Sequence, residues 1–133
     1  MTDQKLDRYV ALALQVDCDG VHPDRDRQSA ARRMANSIAR IEQAIAGAKR
    51  WIGADLKLVV LPEYILSGPP WGETIPEWAA KGAIAPDGPE YAGLAALAQK
   101  YGVFLAGNGY ETDAHFPGLY FQACWVFDPS GNR

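Results

Sequence analysis

An α/β fold with a mostly parallel sheet is what this sequence predicts, and three observations carry the expectation. Short apolar runs recur at Tyr9–Val16, Leu56–Leu61 and Val103–Gly107. Between them lie two stretches whose apolar residues return at helical spacing. The order strand, helix, strand, helix, strand then implies parallel strands joined by right-handed crossovers, two βαβ units sharing the middle strand, with helices covering a sheet face. At 133 residues, 48% apolar and 22% charged, the chain is one domain or a piece of one, with enough apolar surface for a core.

The first run, Tyr9–Val16, ends at the turn-prone Asp17-Cys-Asp-Gly20 and reads as a strand buried on both faces, hence central in its sheet. From about Gln28 to Ile52, Met34, Ile38, Ile41, Ile45, Ala48 and Ile52 alternate steps of four and three along one helical stripe, with Arg33, Arg40 and Lys49 away from it. Asp24 or Asp26 is placed to cap this helix, and Gly53 sits where a C-terminal glycine is usual. Leu56–Leu61 is a strand closed by Pro62, which has no N–H for a central ladder, so the strand stops just before Glu63.

Ser67-Gly-Pro-Pro-Trp-Gly72, with Pro76, Pro86 and Pro89 after it, predicts a long irregular connection of the kind that lines sites. A second helix starts at Pro89, turns Tyr91, Leu94, Leu97, Ala98 and Tyr101 inward and stops at Gly102. Val103–Gly107 forms the third strand. After a loop at His115-Phe-Pro-Gly118, Leu119–Phe127 forms a fourth, with Leu119, Phe121, Ala123, Trp125 and Phe127 on one face and Tyr120, Gln122, Cys124 and Val126 on the other. Asp128-Pro-Ser-Gly-Asn132 has the composition of a tight turn that announces a returning strand, so the sequence reads as cut short at Arg133.

Composition excludes several classes of function. A net charge of -3 without a basic cluster gives no footprint for nucleic acid. Met1–Arg8 lacks an apolar signal core and no apolar run approaches a bilayer span, so a cytoplasmic protein without membrane attachment is expected. Cys18 and Cys124 are far apart with no C-x-x-C pattern and read as free thiols, while His22 and His115, both expected on surface loops, are too dispersed for a metal site.

Glu63 is the leading candidate for chemistry, because ligands of open parallel sheets bind beyond the carboxyl ends of the strands. Partial burial there would raise its proton affinity toward what a general base needs, whereas a bland reading makes it a turn-capping carboxylate. Other constellations are weaker. Gly107-Asn-Gly109 lacks the third glycine and the following helix of a dinucleotide fingerprint. Asp17, Asp19, Asp24 and Asp26 do not match a calcium loop and read as a solvated loop with a helix cap. Cys18 near His22 could form a nucleophile and base only if the fold aligned them, and Cys124 within a strand reads as a small buried hydrophobe.

Taken together, Val10–Gln15, Asn36 in an Ile-rich helix, Gly53-Ala-Asp-Leu, Leu58-Val-Val-Leu-Pro-Glu63, Gly88-Pro-Glu, Ala-Gln-Lys-Tyr-Gly102 and Asp128-Pro-Ser-Gly-Asn resemble the nitrilase superfamily of carbon-nitrogen hydrolases. The Leu-Pro-Glu box after an apolar strand is the specific part. The resemblance implies an αββα sandwich, here incomplete, with residues 1–133 as the N-terminal part of a single carbon-nitrogen hydrolase domain. It implies a Glu-Lys-Cys set acting on a small-molecule amide, carbamoyl-amide or nitrile without metal or organic cofactor, in a homo-oligomer when full length.

Glu63 matches the first member of that set, and Tyr64 beside it is expected to line the substrate pocket. The family's lysine and cysteine fall beyond Arg133, so the chain by itself is expected to be inactive and to self-associate. Cys124 aligns with a small apolar strand position and does not inherit the nucleophile's role; Gln122 stands where the family often has Asn. The alternative is a noncatalytic relative that binds a partner through Tyr64 and Trp71.

Overall fold

The structure is a computed structural model and describes residues 7–133. The signal-core reading therefore falls partly outside the described residues. Four strands, β1 (Val10–Ala13), β2 (Leu56–Val60), β3 (Phe104–Glu111) and β4 (Phe121–Phe127), form one sheet in the order β1-β2-β3-β4. β1, β2 and β3 are parallel and β4 is antiparallel to β3. Helices α1 (Arg27–Ile52), α2 (Ile75–Lys81) and α3 (Pro89–Tyr101) complete the chain, with a short 3-10 turn at Gly53–Asp55.

α1 forms as its stripe predicts. Asp26 is its N-cap, accepting the Ser29 N–H at 2.7 Å, and Gly53 closes it with a φ of 77°. Met34, Ile41 and Ile45 are buried along the stripe, each contributing about 1.5–3 kcal/mol over an exposed position. Asp24 is instead held by Arg33 at 2.6 Å, and Asp19 binds the same guanidinium at 2.7 Å, which accounts for two members of the acidic loop. α3 begins at Pro89 and ends at Gly102 as expected, and packs beside α1. Tyr91, Leu94, Leu97 and Ala98 join α1 residues and the sheet residues Leu56, Val59, Leu105, Trp125 and Phe127 in one core.

Two expectations are corrected. β1 is an edge strand, because only β2 pairs with it among the described residues, and Val10 and Ala13 are exposed. An apolar run reports that both faces of a strand are hydrophobic, not where the strand stands in its sheet. The helices cover one face, carrying Leu12, Val59 and Leu105, while Val60, Phe104 and Val126 lie open on the other. α2 was not foreseen within the proline-rich connection. Thr74-Ile-Pro-Glu77 starts it, the Glu77 carboxylate accepting from the Thr74 N–H and hydroxyl at 2.7 Å, and Pro76 sits in the first turn where an N–H has no helical partner.

β3 runs through Gly107-Asn-Gly109 rather than ending there. The Trp125 ring lies over Gly107, where a Cβ would stand 2.5 Å from it, so glycine here serves close packing and not a phosphate-binding turn. The turn after β4 forms as its residues dictate. The Asp128 N–H donates to the Asn132 carbonyl at 2.8 Å, and Gly131 takes a φ of 84°. Among the described residues no helix is long and apolar enough to cross a membrane.

Candidate functional site

Glu63 sits where the chain leaves the sheet. The Leu61 N–H still donates to the Ala106 carbonyl at 2.9 Å, extending the β2–β3 ladder by one rung, and Pro62 then ends it. The turn that follows is pinned at Tyr64, which takes a φ of 53°, a left-handed conformation uncommon outside glycine. Its N–H donates to Asn108 Oδ1 at 2.9 Å. Its carbonyl accepts from the Gly68 N–H at 2.8 Å, the Ser67 N–H at 3.1 Å and the Cys18 thiol at 3.2 Å.

The Glu63 side chain is exposed, which corrects the expected partial burial: the open sheet face supplies no covering layer beside it. One partner reaches it, Gln122 Nε2 on β4, donating to Glu63 Oε1 at 3.3 Å. Tyr64 is half-buried, its ring stacked on Tyr110 with centroids 4.7 Å apart and planes 4° from parallel. Tyr120 meets Tyr110 edge-on at 5.0 Å. Burial above all, then the neighbours Tyr64, Tyr120 and Glu63, push the Tyr110 hydroxyl above its ordinary range. The site is thus a solvent-facing carboxylate beside tyrosine hydroxyls and two side-chain amides, all on the open face or the strand end leading to it. Such a carboxylate can take a proton from a group brought over that face.

Sequence reasoning did not bring Asn108, Tyr110 or Tyr120 to this place. The available signal was an asparagine between two glycines, read only against a nucleotide fingerprint.

A second cluster lies on the helix side of the same loops. His22 is a half-buried residue rather than a surface one, because its ring stacks on Trp78 at 5.4 Å, meets Trp71 edge-on at 6.1 Å and places Nδ1 3.2 Å from Glu73 Oε1. Lys81 Nζ donates to the same Glu73 oxygen at 2.8 Å and to the His22 carbonyl at 3.2 Å. An open cleft of about 600 Å³ lies beside them, lined also by Arg25 and Arg27. His115, by contrast, is on the surface as read. Tyr64 and Trp71, the pair a partner-binding module would use, occupy opposite ends of the aromatic series Tyr64, Tyr110, Trp78, His22, Trp71.

Burial pushes the Glu73 carboxyl up. Hydrogen bonds from Lys81, the Trp71 N–H, its own N–H and His22 outweigh it and bring the group from 4.5 down to about 2. A folded-state value below the unfolded one stabilises in full above the unfolded value, and this is lost as pH falls through the folded one. Urea unfolding should therefore show a loss of stability between pH 4.5 and about 2 that is smaller in Glu73→Gln. Equal pH slopes in the two proteins would remove this role from Glu73.

Burial is the first cause raising the Cys18 thiol above its ordinary value, opposite to thiolate activation, and its proton is directed at the Tyr64 carbonyl. Cys124 is exposed on the open face of β4, correcting the expected burial, again because nothing among the described residues covers that face. Among the described residues no three His, Cys, Asp or Glu side chains are grouped to hold a metal ion.

No curated protein matches the sequence. Saccharomyces cerevisiae Nit3, a member of branch 10 of the nitrilase superfamily, shares the fold with a TM-score of 0.62 at 24% identity, over 75% of this chain and 36% of Nit3. A carbon-nitrogen hydrolase from Helicobacter pylori G27 does so with a TM-score of 0.51 at 23% identity, over 92% of this chain and 35% of that one. The chain therefore spans little more than a third of the length of these solved relatives and carries the nitrilase-like fold in part. The carbon-nitrogen hydrolase profile matches residues 27–133, including Glu63 and the strands that hold it, and on that match this chain belongs to the carbon-nitrogen hydrolase family.

Proposed function

We propose that this chain is the front part of an enzyme that hydrolyses a non-peptide carbon-nitrogen bond in an amide, carbamoyl-amide or nitrile, with Glu63 as its general base. The observation that carries the reading is the Glu63 carboxylate itself, standing at the carboxyl end of β2 on a turn fixed at both ends of Tyr64. Membership of the carbon-nitrogen hydrolase family supports it. Glu63 takes the proton of a cysteine thiol as the sulfur bonds to the substrate carbon, and a lysine ammonium steadies the negative charge that develops on the substrate. For an amide, the proton passes to the leaving nitrogen as the carbon-nitrogen bond breaks and ammonia or an amine departs. Water, giving a proton to Glu63, then attacks the thioester; the carbon-sulfur bond breaks, the acid leaves and the thiol is restored. The lysine and the cysteine come from residues after Arg133, and Tyr64 lines the pocket.

The test is ammonia release by the full-length protein across small amides, carbamoyl-amides and nitriles. At least one class should turn over, and the 133-residue chain alone should turn over none. Cys18→Ser and Cys124→Ala in the full-length protein should both keep turnover and covalent labelling by a substrate-like electrophile. Loss of labelling in either variant with the fold intact would assign the nucleophile to that residue and overturn the scheme.

A further inference from the structure

We infer that Asn108 is a positioning residue for Glu63, acting through the Tyr64 peptide; this rests on the reading of Glu63 as the base. The β2–β3 ladder makes its last backbone rung from Leu61 to Ala106, and Pro62 supplies no donor for another. The connection between this turn and β3 is then made by a side chain, the Tyr64 N–H donating to Asn108 Oδ1 at 2.9 Å. A backbone N–H only donates, so the Asn108 amide must present its oxygen here.

The peptide unit between Glu63 and Tyr64 carries that N–H at one end and the Glu63 carbonyl at the other. With Leu61 held in the ladder on the other side of Glu63, fixing this plane restricts the Glu63 φ and ψ and so the direction in which its Cα–Cβ bond leaves the turn. The Tyr64 carbonyl is held separately by Ser67, Gly68 and Cys18, which secure the later side of the turn. The left-handed φ of 53° at Tyr64 is a conformation a tyrosine leaves readily unless its surroundings enforce it, and the Asn108 bond is part of that enforcement.

β3 is a firm base for this contact. Gly107 lies directly under the Trp125 ring, and β3 pairs with β4 from Leu105 to Glu111, so Asn108 projects from a strand held on its covered face and along its length. The Glu63 carboxylate takes its side-chain hydrogen bond from Gln122 rather than Asn108, so Asn108 acts on direction and not on the proton. This gives the asparagine between two glycines a purpose that no nucleotide motif supplies.

The test uses the full-length enzyme and compares Asn108→Ala, Asn108→Asp, Tyr64→Gly and Glu63→Gln by kcat, KM, pH profile and thermal unfolding. Asn108→Ala should lower kcat about 10- to 100-fold with KM little changed, the size of effect that misplacing a reacting group produces. Asn108→Asp keeps an acceptor for the Tyr64 N–H and should recover most of kcat. Its added negative charge near Glu63 should move the acid limb of kcat/KM to higher pH, since a like charge raises a carboxyl's proton affinity. In a Tyr64→Gly background, where φ near 53° is unstrained, Asn108→Ala should cost less than in wild type.

Equal losses in the Ala and Asp variants that follow their thermal stability, with the acid limb unmoved, would reduce Asn108 to a structural residue. Asn108→Ala with wild-type kcat, while Glu63→Gln is inactive, would overturn the positioning role and leave Glu63 in place. Turnover in Glu63→Gln would sink the base assignment and the inference with it. Should Asn108→Ala fail to fold, the acid limb of Asn108→Asp decides.

Discussion

Glu63→Gln in the full-length enzyme lowers kcat by about 10²–10⁴-fold, the range that a positioned general base contributes, and leaves no acyl-enzyme to accumulate. The substitution isolates proton transfer from shape. Glutamine keeps the length of the side chain and an oxygen that still accepts from Gln122 Nε2, now 3.3 Å from Glu63 Oε1. The side chain is exposed and makes no ion pair among the described residues, so stability should move by no more than about 0.5 kcal/mol, as for an ordinary surface change. A large kinetic loss with an unchanged unfolding midpoint therefore points to chemistry. Single-turnover measurements should show the loss in acylation itself, because without the base the thiol keeps its proton. If steady-state turnover stayed within about tenfold of wild type, less than a general base supplies, Glu63 would be a turn residue after all.

How far the sequence discloses this molecule differs element by element. α1 and α3 are legible because their signals are local: a periodic stripe closed by Gly53, and Pro89 and Gly102 bracketing one buried face. β2 and the turn after β4 are legible for the same reason, since Pro62 and Asp128-Pro-Ser-Gly each act on their own backbone. α2 was hidden by Pro76, which forbids a helix interior but suits a first turn, and the Thr74 to Glu77 spacing was the overlooked cue. The position of β1 at an edge depends on what stands beside it, which no local pattern states. The candidate site divides in the same way. Glu63 follows from its place after an apolar strand, but the side chains that bond it and Tyr64 are far away in sequence, Gln122 lying 59 residues from Glu63 and Asn108 lying 44 from Tyr64, and the β2–β3 and β3–β4 registers bring them to one end of the sheet.

Trp125 is expected to be the most costly single truncation in the sheet, and its effect should be coupled to Gly107. The ring is 4% exposed and meets Tyr91 edge-on at 6.2 Å and Phe127 at 5.5 Å, filling the space that Gly107 leaves open. Trp125→Ala removes this volume from a packed core and should cost about 3–5 kcal/mol. Trp125→Phe should cost less, because it also removes an indole N–H that is buried without a partner among the described residues. Gly107→Ala approaches the same contact from the other side. Its Cβ would stand 2.5 Å from one ring carbon and 2.7 Å from the next, and a Cβ carried by the backbone of a paired strand cannot rotate away. Overpacking of this kind costs about 1–3 kcal/mol. Placed in a Trp125→Leu background, Gly107→Ala has no large ring to meet and should cost at least about 1 kcal/mol less, within the range of coupling between residues in contact. Urea unfolding of the four proteins in this cycle measures the coupling, and equal costs in the two backgrounds would show that the ring is not what requires glycine at position 107. Because Asn108 follows Gly107 directly, a β3 displaced by the added methyl should also lose kcat at temperatures where the fold is intact, and restoring space at Trp125 should return part of it.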